Sequence, residues 1–503
     1  MTIFKDKVEK YCTGKGLFVG VSCIVAGLSG GPDSVALVAL LAELRSGRED
    51  FPHIYAVHVN HGLRDEAPYD EELSRKLCET LDIPFKAYHY DVKAEAAKLG
   101  RGLEETGRIL RYRAFDDMAD SACRELNIPR TGARIATAHH LGDLSETFMM
   151  NLFRGSGLEG LTAMGSTEYV IRPLIEVTKD EILQYLSDRG LEYATDETNL
   201  HTDFTRNKWR NEIFPVIAEA SVKDPKEAIF DTYTLLSSDE DFLSSEAMKA
   251  YEDLKIREGG YIFIRSEGLN ELHPAISSRV IRLYWLESFG NLTDFEMKHT
   301  AIVMELTSLK GGTHYADLPF GRGALTVEGL LGFYGEEGPA GISCAISCFL
   351  GFPAVPGDFG VTISLDELSE GSKTIKLPDS GISIEASVVE NNESIVYNTL
   401  SWICPEKVIN IGTIPAEGDF LKAGSAHKAS LGKLMSDMKV PRDARSHLIA
   451  ASSGGKLLWI PGLGHADGFI SSKSRSRWLE ENTGRNGGKL IRLEIIRKED
   501  QGG

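Results

Sequence analysis

Asp143 and Glu146 stand three residues apart in HHLGDLSET (139–147), and a third acid, Asp33, lies in SGGPDS (29–34) between two apolar runs. On a helix, residues three apart share a face. Carboxylates grouped in this way can hold a divalent cation, bind an ammonium group or accept a proton. The plainer reading of Asp143 and Glu146 is a capping pair at a helix start. Around Asp33, the run Ile24–Leu28 reads as a buried strand, and Val35, Leu37, Val38, Leu41 and Leu44 have helical spacing. The loop Ser29, Gly30, Gly31, Pro32, Asp33, Ser34 then joins strand to helix. Its glycines let backbone approach a ligand, and the first N–H groups of the helix face an anion, so phosphate is expected there. A Walker loop would supply Lys before Ser or Thr. Here the pair is Asp33-Ser34, and an acid beside phosphate implies a bridging cation, ordinarily Mg2+.

These residues need a frame to hold them. HIYAVHVN (53–60), PFKAYHY (84–90) and ARIATAHH (133–140) read as strands, and 69–82 and 103–127 as helices between them. Such alternation predicts an α/β fold, a doubly wound, Rossmann-like parallel sheet with ligands at the carboxyl ends of its strands. The chemistry-bearing clusters fall at those ends. His61 and Arg64, in NHGLRDE after the second strand, are expected to touch nucleotide. His58 reads as a strand residue, and His139 and His140 as shaping a strand end by hydrogen bonds. On the long helix, Arg108 and Tyr112 are i,i+4 with Arg111 adjoining; this face could meet phosphate or a base, or be solvated and paired with Glu104 or Glu105.

At 503 residues the chain has room for two to four domains, and 42% hydrophobic residues suit a globular protein. No apolar run reaches membrane-spanning length, and the first residues do not read as a secretory signal, so a cytoplasmic protein without a membrane partner is expected. The seven cysteines are scattered and include no Cys-x-x-Cys pair, which suits reduced structural thiols. A net charge of −19 argues against indiscriminate nucleic-acid binding, but residues 401–503 hold 16 Lys+Arg against 11 Asp+Glu, leaving −24 for residues 1–400. The positive tail is the plausible contact for a polyanion.

SGGPDS resembles the PP-loop of ATP pyrophosphatases. Together with VNHGLRDE, LEETGRILRYRAF, AHHLGDLSETFMMNLFRGSGLEGL, IRPLIEVTKDEI and DETNLHTDFTRNKWRNEIFPVI, it resembles in order and spacing the bacterial tRNA(Ile)-lysidine synthetases over nearly all of residues 20–217. The resemblance implies that ATP adenylates the C2 oxygen of the wobble cytidine in CAU-anticodon tRNA(Ile), and that the ε-amine of free L-lysine then displaces AMP. It implies Asp33 and Asp143 as metal ligands, Glu146 or Asp143 as the lysine site, and Arg206, Asn207 and Arg210 near the nucleotide and target base, Arg206 in a catalytic role. Arg206 and Arg210 could otherwise be a helix-start ion pair with Glu212 or Asp203.

The resemblance divides the chain into a catalytic domain over 1–220, a mainly helical middle domain over 221–340 and a small α+β domain over 401–503. A β-rich stretch at 341–400 matches nothing named. Lys428, Lys433, Lys439, Arg442 and Arg445 are the tail's expected tRNA contacts, and related enzymes are homodimers. Two departures stand out: Gly142 precedes Asp143 where the family often has a second acid, and Ala429-Ser430 interrupts the tail's lysines. A tRNA-thiolating PP-loop enzyme is the nearest alternative, but those use cysteine pairs. A non-catalytic ATP-binding regulatory module is the other.

Overall fold

The computed structural model describes residues 2–62, 67–194, 205–369, 371–378, 380–389, 400–403, 408–414, 419–420, 429–465 and 490–497. The chain divides into two compact units, Met1–Phe242 and Leu243–Gly503.

In the first unit the elements run α1 (Thr2–Gly14), β1 (Cys23–Gly27), α2 (Pro32–Arg45), β2 (His53–Asn60), α3 (Ala67–Thr80), β3 (Phe85–His89), α4 (Val92–Leu99), α5 (Leu103–Leu126), β4 (Ala133–Ala136), α6 (Leu141–Phe153), α7 (Leu158–Leu161), β5 (Val170–Ile171) and α8 (Lys179–Arg189). The sheet order is β3-β2-β1-β4-β5 and every pairing is parallel. Side chains alternate across β1: Ile24 and Ala26 join the cluster with α2 and α8, while Cys23 and Val25 join Ala114, Phe115 and Ala119 of α5. Helices therefore cover both faces, as the apolar strand runs require. The chain walks outward from β1 to β3 and then returns to β4, so strand order reverses between β1 and β4. A ligand crevice belongs at that reversal.

The second unit begins within the helix Pro225–Leu254. Its first part packs helices Pro274–Phe289 and Met297–Ser308 on a five-stranded sheet, Lys255–Glu258, Tyr261–Arg265, Leu330–Tyr334, Arg322–Val327 and Thr313–Leu318 in spatial order, with every printed pairing antiparallel. Sequence reading expected helices and one short hairpin here. The missed strands flank Gly259-Gly260, both at positive φ (55° and 80°), the two-residue turn whose twist suits a hairpin.

Beyond it lie two further sheets. Gly360–Ser364 pairs with Val408–Thr413, and Ile382–Val389 with Leu490–Arg497. Residues 341–400 thus share sheets with the tail, and no sheet boundary falls at 400. No helix among the described residues is long and apolar enough to cross a membrane.

Candidate active site

The PP-loop is built as its residue types demand. Gly30 sits at φ +87°, and a Cβ there would lie 3.1 Å from the Asp70 carbonyl oxygen, so only glycine suits it. Pro32 occupies the first turn of α2, where its missing N–H costs nothing. Ser34 Oγ donates to the Gly31 carbonyl at 2.9 Å and accepts from Ser29 N–H at 3.1 Å, closing the loop on itself. At the end of β1, Gly27 leaves room for the Phe115 ring, which would lie 2.7 Å from a Cβ.

A cavity of about 420 Å³ opens over this loop, lined among others by Ser29, Gly31, Asp33, Ser34, His61, Arg108, Arg111 and Tyr112. Gly30 and Pro32 shape the loop without lining the cavity. Arg108 stacks over the Tyr112 ring, 5.0 Å from its centroid. Arg108, Arg111 and His139 also line an adjoining open depression of about 930 Å³ that includes Arg154, a cation sequence reading overlooked. His58 is buried on β2, as its strand reading expected, with its Nδ1 2.9 Å from the Leu28 carbonyl, and burial pushes its pKa down. His139 bonds Thr137 Oγ1 at 2.9 Å, shaping the end of β4 as expected.

Across the crevice, α6 starts with His140 as its cap. His140 Nδ1 accepts from Gly142 N–H at 2.9 Å, and Asp143 Oδ2 accepts from His140 N–H at 3.0 Å. Asp143 is therefore a capping residue, as the plainer reading expected, whereas Glu146 takes no part in the cap. A Cβ on residue 142 would lie 2.6 Å from the His140 ring. The capping ring thus fills the space beside Gly142, where a second acid was expected. His140 Nε2 lies 3.9 Å from Asp33 Oδ1 and 3.7 Å from Asp143 Oδ2, which links the phosphate loop to the acid pair.

Glu146, one turn on, is only 2% exposed. Arg210 reaches both acids: its Nε donates to Glu146 Oε1 at 2.6 Å, and its Nη2 to Glu146 Oε2 at 3.1 Å and Asp143 Oδ1 at 3.4 Å. The π-helical turn Trp209–Ile213 carries it, an irregularity common at functional sites. Glu212 is not its partner among the described residues, Asp203 lies outside them, and its guanidinium meets the acid pair. Burial pushes the Glu146 carboxyl up, and Arg210 only partly opposes this. Burial also raises Asp143, but His140, its N–H bond, His139 and Arg210 outweigh it and hold that carboxyl below its ordinary value. The two neighbouring carboxyls are thus pushed in opposite directions.

One group near the loop escaped the sequence reading. Lys179 Nζ lies 2.6 Å from Asp33 Oδ1. A signal for it existed: Thr178 and Glu181 form a capping box, which marks a helix start and sets Lys179 at its first position. Arg64 and the side chain of Arg206 lie outside the described residues, as does Lys428. Asn207 lies on the helical turn Thr205–Lys208 that leads into Arg210.

In the second unit, Lys433 sits on the helix Leu431–Asp437, and Lys439, Arg442 and Arg445 follow it. Lys439 pairs with Glu328 at 2.8 Å and Arg445 Nε donates to the Val440 carbonyl at 3.2 Å. Asp443 accepts from Tyr315 Oη at 2.5 Å, which pins this basic turn to the strand Thr313–Leu318.

A family model for the PP-loop domain matches residues 2–217, and one for the TilS substrate C-terminal domain matches residues 409–481. A tRNA(Ile)-lysidine synthase of Caldanaerobacter subterraneus subsp. tengcongensis is 30% identical over 460 residues, 91% of this chain and 92% of that one. Its counterpart in Clostridium acetobutylicum is 28% identical over 469 residues, 91% and 94% of the two chains. Among solved structures, the U34-tRNA thiolase NcsA from Methanococcus maripaludis is 21% identical with a TM-score of 0.38, over 47% of this chain and 79% of that one, too distant to weigh on function.

Proposed function

Because the chain belongs to the tRNA(Ile)-lysidine synthase family, we infer that its phosphate loop and its acid pair divide the two steps of lysidine formation between them. The activity is that of an ATP-dependent ligase acting on tRNA(Ile) and lysine. In the first step the cytidine C2 oxygen attacks the α-phosphate of ATP over Ser29–Ser34, and pyrophosphate leaves. In the second, the lysine ε-amine attacks C2 and AMP leaves with the oxygen. A C2 oxygen is a poor leaving group until adenylated, which is why ATP is spent first.

One observation carries this division: Asp143 and Glu146 already hold a side-chain cation, Arg210, at a point joined to Asp33 through His140. Carboxylates arranged to hold a guanidinium suit an alkylammonium. Lysine must also lose a proton, which at pH 7 costs about 4.6 kcal/mol from a reference pKa of about 10.4. Asp143, kept charged, suits recognition; Glu146, raised by burial, suits proton acceptance. Arg108, Arg111 and Tyr112 line the nucleotide cavity, Arg154 lines the adjoining depression, and a stacking ring beside cations fits the anticodon strand.

Mg2+ enters as the companion of ATP. Asp33 and Asp143 approach the same His140 nitrogen, so their nearest recorded oxygens are no more than about 7.6 Å apart. The chemistry of the pair suits an ion that keeps several waters and takes one or two carboxylates plus phosphate oxygens. Asp33 and Asp143 would hold it, and it would offset charge on departing pyrophosphate. Thiolation draws no support: the cysteines recorded in the described residues (Cys12, Cys23, Cys78, Cys123, Cys344 and Cys348) are free and buried.

The direct test incubates the protein with CAU-anticodon tRNA, ATP, Mg2+ and labelled lysine; label in the tRNA is expected, and its absence with all components present would remove the reading. Asp33→Ala should slow pyrophosphate release by about a hundredfold or more, since a metal-held carboxylate contributes several kcal/mol. The melting temperature should hardly move, because the Asp33–Lys179 pair is part-exposed and such pairs stabilise by about 0–1 kcal/mol. Release at the wild-type rate would move the nucleotide elsewhere.

A further inference from the structure

Phe153, the last residue of α6, is 73% exposed. An exposed phenylalanine standing singly needs no explanation, but this one is the open end of a ladder of rings. Its centroid lies 5.4 Å from that of Trp209, and Trp209 lies 6.0 Å from the buried Phe214. The π-helical turn therefore meets α6 twice. Arg210 holds Glu146, and Trp209 backs Phe153 seven residues further on, about 10 Å along the helix at 1.5 Å per residue. This end of α6 is also fixed, because Asn151 Nδ2 donates to the Gly160 carbonyl of α7 at 2.7 Å. The next residue, Arg154, lines the open depression with Arg108 and Arg111. Among the described residues its guanidinium meets no carboxylate, only the Asn151 side-chain oxygen at 3.5 Å. A ring face beside such cations has the composition of a single-strand platform, with charge for the backbone and a π-face for a base. A protein partner would need more, since a stable interface buries roughly 800 Å² on each side.

We propose that Phe153, backed by Trp209, is the stacking platform for the anticodon base that follows the wobble cytidine, the adenine of CAU. With the cytidine drawn to the acid pair, the strand continues past Arg154, which takes a phosphate, and the adenine lays its face on Phe153. Bases of RNA loops are commonly read in this way, splayed from the loop and stacked on aromatic side chains. A purine offers the larger face, which favours the adenine over the uridine of the same triplet. Phe153 is thus a binding residue for the anticodon and moves no proton. The assignment rests on the family-based reading that a wobble cytidine enters this site.

The test uses the full-length protein and a CAU-anticodon tRNA that carries 2-aminopurine, whose fluorescence falls on stacking, in place of that adenine. Wild type is compared with Phe153→Ala, with Phe153→Leu, which keeps apolar bulk without a ring, and with Phe153→Tyr, which keeps the ring. The Ala and Leu variants should bind this tRNA about five- to a hundredfold more weakly, the usual worth of one base stacked on a ring. At saturation they should leave the probe brighter than wild type does, and Phe153→Tyr should restore both properties. With ordinary tRNA the loss should fall on KM, with kcat within about threefold, the mark of binding shared by ground and transition states. ATP affinity should not change, because Phe153 does not line the nucleotide cavity. The melting temperature should hardly move, since the side chain is exposed. A fall in kcat at unchanged KM would show that Phe153 only braces Trp209 and Arg210, and would overturn the proposal. So would wild-type tRNA affinity in Phe153→Ala or Phe153→Leu, or a change in oligomeric state in place of a change in tRNA affinity. A wild-type protein that binds the tRNA but forms no lysidine would instead remove the family-based reading and leave the stacking comparison intact.

Discussion

Glu146→Gln should stall the reaction between its two steps: adenylated tRNA accumulates while transfer to lysine slows by about 10²–10⁴-fold, the usual worth of a positioned acid or base. The glutamine keeps the shape of the side chain, and its amide oxygen can still accept from Arg210. It cannot carry the charge that attracts an ammonium or take the proton that the ammonium must lose. In the wild-type enzyme, burial raises the Glu146 pKa, so the carboxylate forms only as pH climbs past a value above that of an ordinary glutamate. The lysine step should therefore speed up with pH through that displaced midpoint, and Glu146→Gln should lack this limb. Single-turnover assays that follow pyrophosphate and lysidine separately make the distinction. Equal loss in both steps would show that Glu146 acts mainly by holding Arg210, and would move proton acceptance elsewhere.

The parts of this site that sequence made legible are those governed by local rules. Gly30 at a left-handed φ, Pro32 at a helix start and Asp33 in its first turn follow from strand-turn-helix chemistry. The parallel sheet was legible because His53–Asn60 and Phe85–His89 are short apolar-rich runs between helical stretches. What escaped depends on distant partners. Lys179 meets Asp33 across 146 residues, and Arg210 meets Glu146 across 64. Nothing in TRNKWR favours Glu146 over the nearby Glu212. The absence of a second acid before Asp143 looked like a weakness of the metal site. In the structure the His140 ring lies over Gly142 at that position. In the same way, Gly360–Ser364 reads locally as an orphan strand, because its partner starts 44 residues later.

That last pairing changes what can be expected of the tail. Deleting residues 401–503 would remove Val408–Thr413 from beside Gly360–Ser364 and Leu490–Arg497 from beside Ile382–Val389, a pairing eight residues long. Ile363, Ile384 and Ala386, each no more than 1% exposed, would face water. The truncated protein should retain ATP binding, since the nucleotide cavity lies within Met1–Phe242, but residues 341–389 should lose their protection from amide exchange. Its loss of tRNA binding would then say nothing about charge. Substitutions that leave the sheets alone give the informative experiment. Lys433 and Arg442 are suitable, because among the described residues neither side chain holds an ion pair, whereas Lys439 grips Glu328 and Arg445 braces its own turn. If these cations meet tRNA phosphates, Lys433→Gln with Arg442→Gln should weaken tRNA binding uniformly. The double variant should also lower the slope of log affinity against log salt by roughly one to two, since each phosphate contact contributes a little under one. ATP affinity should not change. An unaltered slope would mean that the positive balance of the tail has no part in binding tRNA and that selectivity for tRNA(Ile) is exercised elsewhere in the chain.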